Sequence, residues 1–200
     1  MRLKDLFEQH RQFQDRETIK QWLKKQHIKS FEINRDLTVD VTSNAVLSSV
    51  GPRLPVQFGR VSGNFDVSLG HLVSLEGSPT WVGKSFSCAY NPDLYSLEYA
   101  PAFVGHDFSC RETNITSLQN IHKQVKDIGG KLIIGDIYSH ILGVLLIRRL
   151  RFVDLSVKML PPVGLRQAIS IINKHLGGDR NIHDAQEELI EAGLKEYAKL

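Results

Sequence analysis

Between residues 54 and 118 the apolar positions of this chain recur with a period near twenty-two residues, too long for the spacing within one helix or strand. Leu72-Val73-Ser74-Leu75-Glu76-Gly77-Ser78-Pro79-Thr80-Trp81-Val82-Gly83-Lys84-Ser85-Phe86-Ser87-Cys88 is answered by Leu94-Tyr95-Ser96-Leu97-Glu98-Tyr99-Ala100-Pro101-Ala102-Phe103-Val104-Gly105-His106-Asp107-Phe108-Ser109-Cys110. An earlier copy starts at Leu54 and ends on Phe65-Asp66-Val67, and a fourth opens Ile115-Thr116-Ser117-Leu118 before it drifts. Such a repeat cannot close a domain but makes one coil of a solenoid. Two short apolar segments, Leu-x-Ser-Leu and Phe-x-Cys, predict two strands per coil. Pro and Gly between them (Pro79 and Gly83, Pro101 and Gly105) predict a corner, with glycine supplying positive φ. Stacked coils then place Phe65, Phe86, Phe108 and Leu132 in one internal ladder, and Leu72, Leu94, Ile115 and Ile137 in another.

Outside the repeats the pattern turns helical. Leu3, Leu6, Phe7, His10 and Phe13 fall at helical spacing, and Asp15 predicts the cap of a helix carrying Ile19, Trp22 and Leu23. Phe31-Glu32-Ile33-Asn34 and Leu37-Thr38-Val39-Asp40-Val41 alternate on either side of Arg35-Asp36, as a hairpin does. Gly129-Gly130-Lys131-Leu132-Ile133-Ile134-Gly135 predicts a strand; Leu145-Leu146-Ile147 with Phe152-Val153 predicts a last coil. Beyond Pro161-Pro162, Leu165, Ala168, Ile169, Ile172 and Leu176 form a helical stripe stopped by Gly177-Gly178. Ile182, Leu189, Ile190, Leu194 and Tyr197 predict a final helix. The expected fold is α+β, a short β-solenoid of four or five coils capped by helices at both ends. Residues 1–41 form a helical and β-hairpin cap, 42–158 the repeat solenoid and 159–200 a C-terminal helical cap. Helices belong there because terminal coils leave strand edges unpaired.

Composition narrows the class without naming a chemistry. Charged residues at 24% and hydrophobic ones at 42% describe a globular chain, and a formal charge of +3 is too slight to argue for nucleic acid by itself. No apolar run reaches the ~20 residues of a membrane span. The first residues lack the apolar core of a secretion signal, so a cytoplasmic address is expected. The two cysteines, Cys88 and Cys110, fall at equivalent places in adjacent copies. Coils about 4.8 Å apart would bring them within reach of a disulfide. The reading preferred here is a pair of small buried rungs kept reduced.

The repeat 72–88 and 94–110 resembles the short leucine-rich-like repeats of small proteins of tailed bacteriophages. The flanks resemble the same group: Asp15-Arg16-Glu17-Thr18-Ile19-Lys20-Gln21-Trp22-Leu23 at the start, and Ile171-Ile172-Asn173-Lys174-His175-Leu176 with Ala185-Gln186-Glu187-Glu188-Leu189 near the end. The resemblance covers nearly the whole chain and gives the solenoid its leucine-rich character. It implies a phage-encoded, non-enzymatic module acting in a host cytosol, with no cofactor and no shared catalytic residues. Asn91 stands where leucine-rich repeats turn on a buried asparagine; Gly70 and Thr113 replace it in neighbouring copies, which predicts an incomplete asparagine ladder.

One departure from the repeat supplies the candidate site. Trp81 and Phe103 occupy positions usually polar, one coil apart, and predict a small exposed aromatic ridge. Tyr99 replaces Gly77 of the preceding copy, and Tyr95 and Tyr138 share the column of Val73 and Thr116. Exposed aromatics anchor protein interfaces, so Trp81, Tyr95, Tyr99, Phe103 and Tyr138 are the candidate protein-binding residues. The partner expected is a protein, in a host a defence or regulatory one. The rival expectation is nucleic acid held through phosphate contacts from Lys123, Lys126, Arg148, Arg149 and Arg151. A third is a virion or assembly role. The histidines have no zinc-ligand spacing, so no metal is expected. Ser74, Ser96 and Ser117, like Glu76 and Glu98, recur with the coil, which suits a structural position better than a catalytic one.

Overall fold

The computed structural model describes residues 13–156 and 161–200. The expected stripe of Leu3, Leu6, Phe7 and His10 therefore lies outside the described residues. In chain order the elements are α1 (Arg16–Lys25), β1 (Phe31–Ile33), β2 (Val39–Val41), β3 (Ala45–Val46), β4 (Phe58–Val61), β5 (Phe65–Asp66), β6 (Trp81–Val82), β7 (Phe86–Ser87), β8 (Phe103–Val104) and β9 (Phe108–Ser109). They continue with α2 (Ile121–Gln124), β10 (Asp127–Ile128), β11 (Lys131–Ile134), a 3-10 helix (Leu142–Leu146), β12 (Phe152–Leu155), α3 (Leu165–Gly177) and α4 (Ile182–Glu191).

The chain is a β-solenoid with helices at its ends. Two six-stranded sheets run along it: β1-β2-β4-β6-β8-β10 on one side, and β3-β5-β7-β9-β11-β12 on another. Among the described residues only β1 and β2 pair antiparallel, as the expected hairpin; the other pairs are parallel. The phenylalanine ladder is in register: Phe65 pairs with Phe86, Phe86 with Phe108, and Phe108 with Leu132. Phe65 and Phe86 stack with ring centroids 6.0 Å apart, and Phe86 and Phe108 lie 4.8 Å apart. All three are buried, as are Leu72, Leu94, Ile115 and Ile137 of the second ladder.

Three expectations need correction. The solenoid has six coils, not four or five, because the hairpin strand β2 with β3 is already the first rung and β12 the last. The Leu-x-Ser-Leu segment is not a strand. It forms an irregular third side in which Ser74, Ser96 and Ser117 Oγ accept the N–H two residues on, at 3.1, 3.0 and 3.2 Å. In the two best-matched copies the second strand is the pair that starts two residues beyond the proline, Trp81–Val82 and Phe103–Val104. In the expected last coil, Phe152-Val153 is in strand β12, while residues 145–146 close the 3-10 helix.

Glycine at the corner also acts differently from expectation. The glycines with positive φ are 51, 77, 164 and 193; Gly83 and Gly105 are not among them. A Cβ on Gly105 would lie 2.0 Å from the Gly83 carbonyl oxygen, and one on Gly129 would lie 2.0 Å from that of Gly105. The column is glycine because consecutive coils approach there, backbone on backbone.

Polar side chains stitch the next corner. Asn44 Oδ1 accepts the Asn64 N–H at 2.9 Å, Asn64 Oδ1 that of Ser85 at 3.1 Å, and Asp107 Oδ1 that of Lys131 at 2.9 Å. Asn91, buried, accepts from Gly70 and Leu72 N–H at 3.1 and 2.9 Å and donates to Val67, Cys88 and Ala89 carbonyls. One asparagine thus satisfies two coils, and Gly70 needs no side chain of its own. Thr113 Oγ1 donates to the Cys110 carbonyl at 2.8 Å and accepts from Ile115 at 3.4 Å.

Helices close both ends. Asp15 caps α1 by accepting the Thr18 N–H at 2.8 Å. Behind it, the Arg16 guanidinium donates to the Asn34 and Ile33 carbonyls, and Arg180 donates to those of Ile147 and Leu150 at the far end. Among the described residues no helix is long and apolar enough to cross a membrane.

Candidate functional site

The coil geometry distributes the candidate residues over two outer faces. On the irregular third side, Val73, Tyr95, Thr116 and Tyr138 form one column, with the Tyr138 N–H donating to the Thr116 carbonyl at 2.8 Å. Val73, Tyr95 and Tyr138 are 53%, 66% and 57% exposed. Tyr95 borders an open groove of about 530 Å³ whose rim carries Glu98, Gln119, Asn120 and Lys123 and whose floor includes Leu97 and Leu118. The extra turn α2 makes the groove, since it lengthens one coil and lifts Lys123 beside the tyrosine side. Tyr99 sits at the edge of this side in left-handed backbone, φ 64°, where the preceding coil has Gly77 at φ 93°. The neighbouring Glu98 carboxylate pushes the Tyr99 phenol above its ordinary value.

The other face is the outside of the β2–β10 sheet. Here Arg60, Trp81, Phe103 and Asp127 are consecutive register partners, and a bridge adds Arg148. Trp81 and Phe103 are stacked, centroids 5.5 Å apart and planes 8° from parallel. They are half-buried, so the ridge is less exposed than the sequence suggests. The guanidinium of Arg60 covers Trp81 at 4.2 Å and that of Arg149 covers Phe103 at 4.9 Å. Arg149 is held in place by Asp127, Nε to Oδ1 2.6 Å, while Arg148 approaches the same carboxylate at 3.7 Å.

The structure therefore regroups the predicted sites. Trp81 and Phe103 belong with Arg148 and Arg149, not with the tyrosines, and Lys123 belongs with the tyrosine groove. Lys126 and Arg151 are exposed; the ammonium of Lys126 donates to the His122 carbonyl at 3.1 Å. Arg60 and Asp127 were missed by sequence reasoning. Their signal was present, since Arg60-Val61, Trp81-Val82, Phe103-Val104 and Asp127-Ile128 align once the strand is placed at that dipeptide.

Other candidate chemistry resolves into structure. The recurring serines are turn acceptors, and Glu76 pairs with Arg53 at 3.2 Å. Cys88 and Cys110 are free and buried, donating weakly to the Ser109 and Ile133 carbonyls. Among the described residues no group of three or more His, Cys, Asp or Glu side chains is placed to hold a metal ion. Compared with family models, curated proteins and solved structures, the chain matches none of them.

Proposed function

We propose that this chain is a non-enzymatic protein-binding module whose contact surface is the irregular third side of the solenoid. The observation that carries the reading is the column of Val73, Tyr95 and Tyr138, each more than half exposed, beside an open groove. Tyrosine supplies a large, rigid, amphipathic contact with little rotamer freedom to lose. The solenoid holds those tyrosines on a fixed frame, which lowers the ordering cost of association. The resemblance of the repeat to small phage proteins supports a host protein as the target. Nucleic-acid binding is the weaker reading, because Lys123 faces the tyrosine groove while Arg148 and Arg149 converge on Asp127, so these cations do not form one track. A role in assembly by end-to-end stacking is disfavoured by the side chains that occupy the strand edges at both ends. The test is capture of partners from a bacterial extract with the wild-type chain and with Tyr95→Ser plus Tyr138→Ser. Loss of the captured protein supports the reading, and equal recovery by both forms overturns it.

A further inference from the structure

The outer face of the β2–β10 sheet carries a second cluster of aromatic and basic side chains, on a different side of the coil from the tyrosine groove. Its chemistry comes from a four-membered stack of Arg60, Trp81, Phe103 and Arg149, closed at each end by a guanidinium. Around the stack lie Lys126, Arg148 and Arg151, and Lys84 projects from the adjoining corner column, in which Lys84 N–H bonds to Gly63 and Arg151 N–H to Gly130. Arg60, Lys84, Lys126, Arg148, Arg149 and Arg151 are all exposed. The carboxylates in the same register column are Glu32, Asp40 and Asp127; Glu32 is exposed on the hairpin strand two strands beyond Arg60, and the other two are engaged by neighbouring groups. Asp40 accepts the Arg60 N–H at 2.7 Å and the Asn34 amide at 3.2 Å, and Asp127 is buried between Arg148 and Arg149. The face is therefore net positive, with six cations against three carboxylates.

We infer that this face binds an acidic polypeptide segment, an extended run of Asp and Glu side chains lying along the arginine–aromatic stack. Two features favour carboxylates over nucleic acid. A single strand is held by bases stacking on aromatic faces. Here Trp81 presents one face to Arg60 and the other toward Phe103, whose far face is covered by Arg149, so no ring face is free for a base. What remains outward is ring edge, which carries positive partial charge, and guanidinium N–H, which forks onto a carboxylate. The arginines are also ordered in advance: Arg60 is stacked on Trp81, and Arg149 is held by both Phe103 and Asp127. Less side-chain entropy is lost when a carboxylate arrives.

The experiment is fluorescence anisotropy with a dye-labelled Asp/Glu peptide, run against the wild-type chain, Arg60→Gln plus Arg148→Gln, and Tyr95→Ser. Both arginines are exposed, and far-ultraviolet dichroism confirms that the double variant folds. The expected result is saturable binding at low salt that weakens as salt rises. The double variant should bind about tenfold more weakly or worse, and Tyr95→Ser should match the wild type. Labelled oligo-dT of equal charge should bind no more tightly than the peptide. The inference is overturned if the wild type does not bind the peptide, if the double variant binds it equally, or if oligo-dT binds more tightly. Loss of peptide binding in Tyr95→Ser also overturns it, because the peptide would then occupy the groove.

Discussion

The carboxamide of Asn173 in helix α3 pairs with the backbone of Val153 in the last strand: its Oδ1 accepts the Val153 N–H at 2.7 Å and its Nδ2 donates to the Val153 carbonyl at 2.9 Å. One side chain thus makes the two bonds that a further strand would make. At the other end Gln26 of the first cap does the same to Ser48, accepting its N–H at 2.9 Å and donating to its carbonyl at 3.1 Å. Ser48 follows β3 and Val153 lies in β12, the two outermost strands of one sheet, so both open edges of that sheet are blocked by amide side chains. An unblocked edge is a template for another chain.

Asn173→Ala removes both partners from Val153, leaving an N–H and a carbonyl near a helix with nothing to bond. A loss of about 1–3 kcal/mol follows from the desolvation of those groups. Chemical denaturation should show it as a lower midpoint with unchanged slope. Combined with Gln26→Ala, the variant should also sediment as concentration-dependent oligomers. A double variant as stable and as monodisperse as the wild type would remove the edge-blocking role.

Gly105→Ala should be among the most damaging single-methyl additions in the chain. The new Cβ would sit 2.0 Å from the Gly83 oxygen and 2.8 Å from its carbonyl carbon, and both belong to backbone already fixed by the sheets. Coils on either side must separate, and a loss of about 3 kcal/mol or more is expected, the size seen for severe steric conflict in a core. Gly177→Ala provides the contrast, since nothing lies within 4 Å of a Cβ there and the residue ends helix α3. It should leave stability unchanged or raise it by about 0.5 kcal/mol. Paired thermal melts decide between close approach and backbone freedom as the reason for the glycine column.

These positions show what was legible in the chain and what was not. Phe65, Phe86 and Phe108 announce their ladder because each must be large and apolar to fill the same interior slot. The hairpin and the capping helices carried equally local signals, such as Asp15 and the alternation at residues 31–41. The strand at Trp81–Val82 was hidden because two residues are too few to alternate, and the flanking Pro79 and Gly83 read as a turn. The first coil was hidden for another reason: Ala45 occupies the phenylalanine column without resembling phenylalanine, whereas the last coil was legible at Phe152-Val153. The site was legible as a set of aromatic and basic residues, but not as two faces. That division depends on which residue of each dipeptide points outward, and on the α2 insertion that shifts Lys123 away from Lys126.

Tyr99 is the residue at which recognition and stability are expected to oppose each other. Its backbone is left-handed, which costs a residue with a Cβ about 1 kcal/mol, and the equivalent position one coil earlier is glycine. Tyr99→Gly should therefore raise the unfolding free energy, by at most about 1 kcal/mol, since the residue is 45% exposed and the packing lost is limited. The same variant should bind the groove-side partner more weakly. A variant that is less stable, or one that binds as well as the wild type, contradicts this assignment.

Acid should weaken the fold in two separate windows. Burial lowers the His122 imidazole below its ordinary 6.5, with Lys123 and Lys126 adding to the effect, so the unfolded chain binds this proton more readily than the folded one. Stability from this group is complete above 6.5 and falls as pH drops toward its folded value. Hydrogen bonds from Lys174 and His175 likewise lower Glu188 below its ordinary 4.5, and its contribution is lost as pH falls from that value through the folded one. Melting temperature measured from pH 7.5 to 3 should decline in both windows. His122→Asn should flatten the upper one and Glu188→Gln the lower; an unaltered profile in either variant assigns the decline elsewhere.

Cys88 and Cys110 should be inert while the solenoid is intact. Both thiols are fully enclosed, and burial pushes Cys110 up to about 12 and Cys88 well above the usual thiol range, with the neighbouring Cys110 adding to the latter. Alkylation needs thiolate and access, and the fold withholds both. At pH 8 iodoacetamide should label neither cysteine of the native chain over a time in which both react fully in denaturant. The labelling rate should then report opening of the coil stack, and Gly105→Ala should accelerate it in proportion to its loss of stability. Rapid labelling of the stable wild-type chain would mean that the phenylalanine ladder opens locally beside the two cysteines without global unfolding.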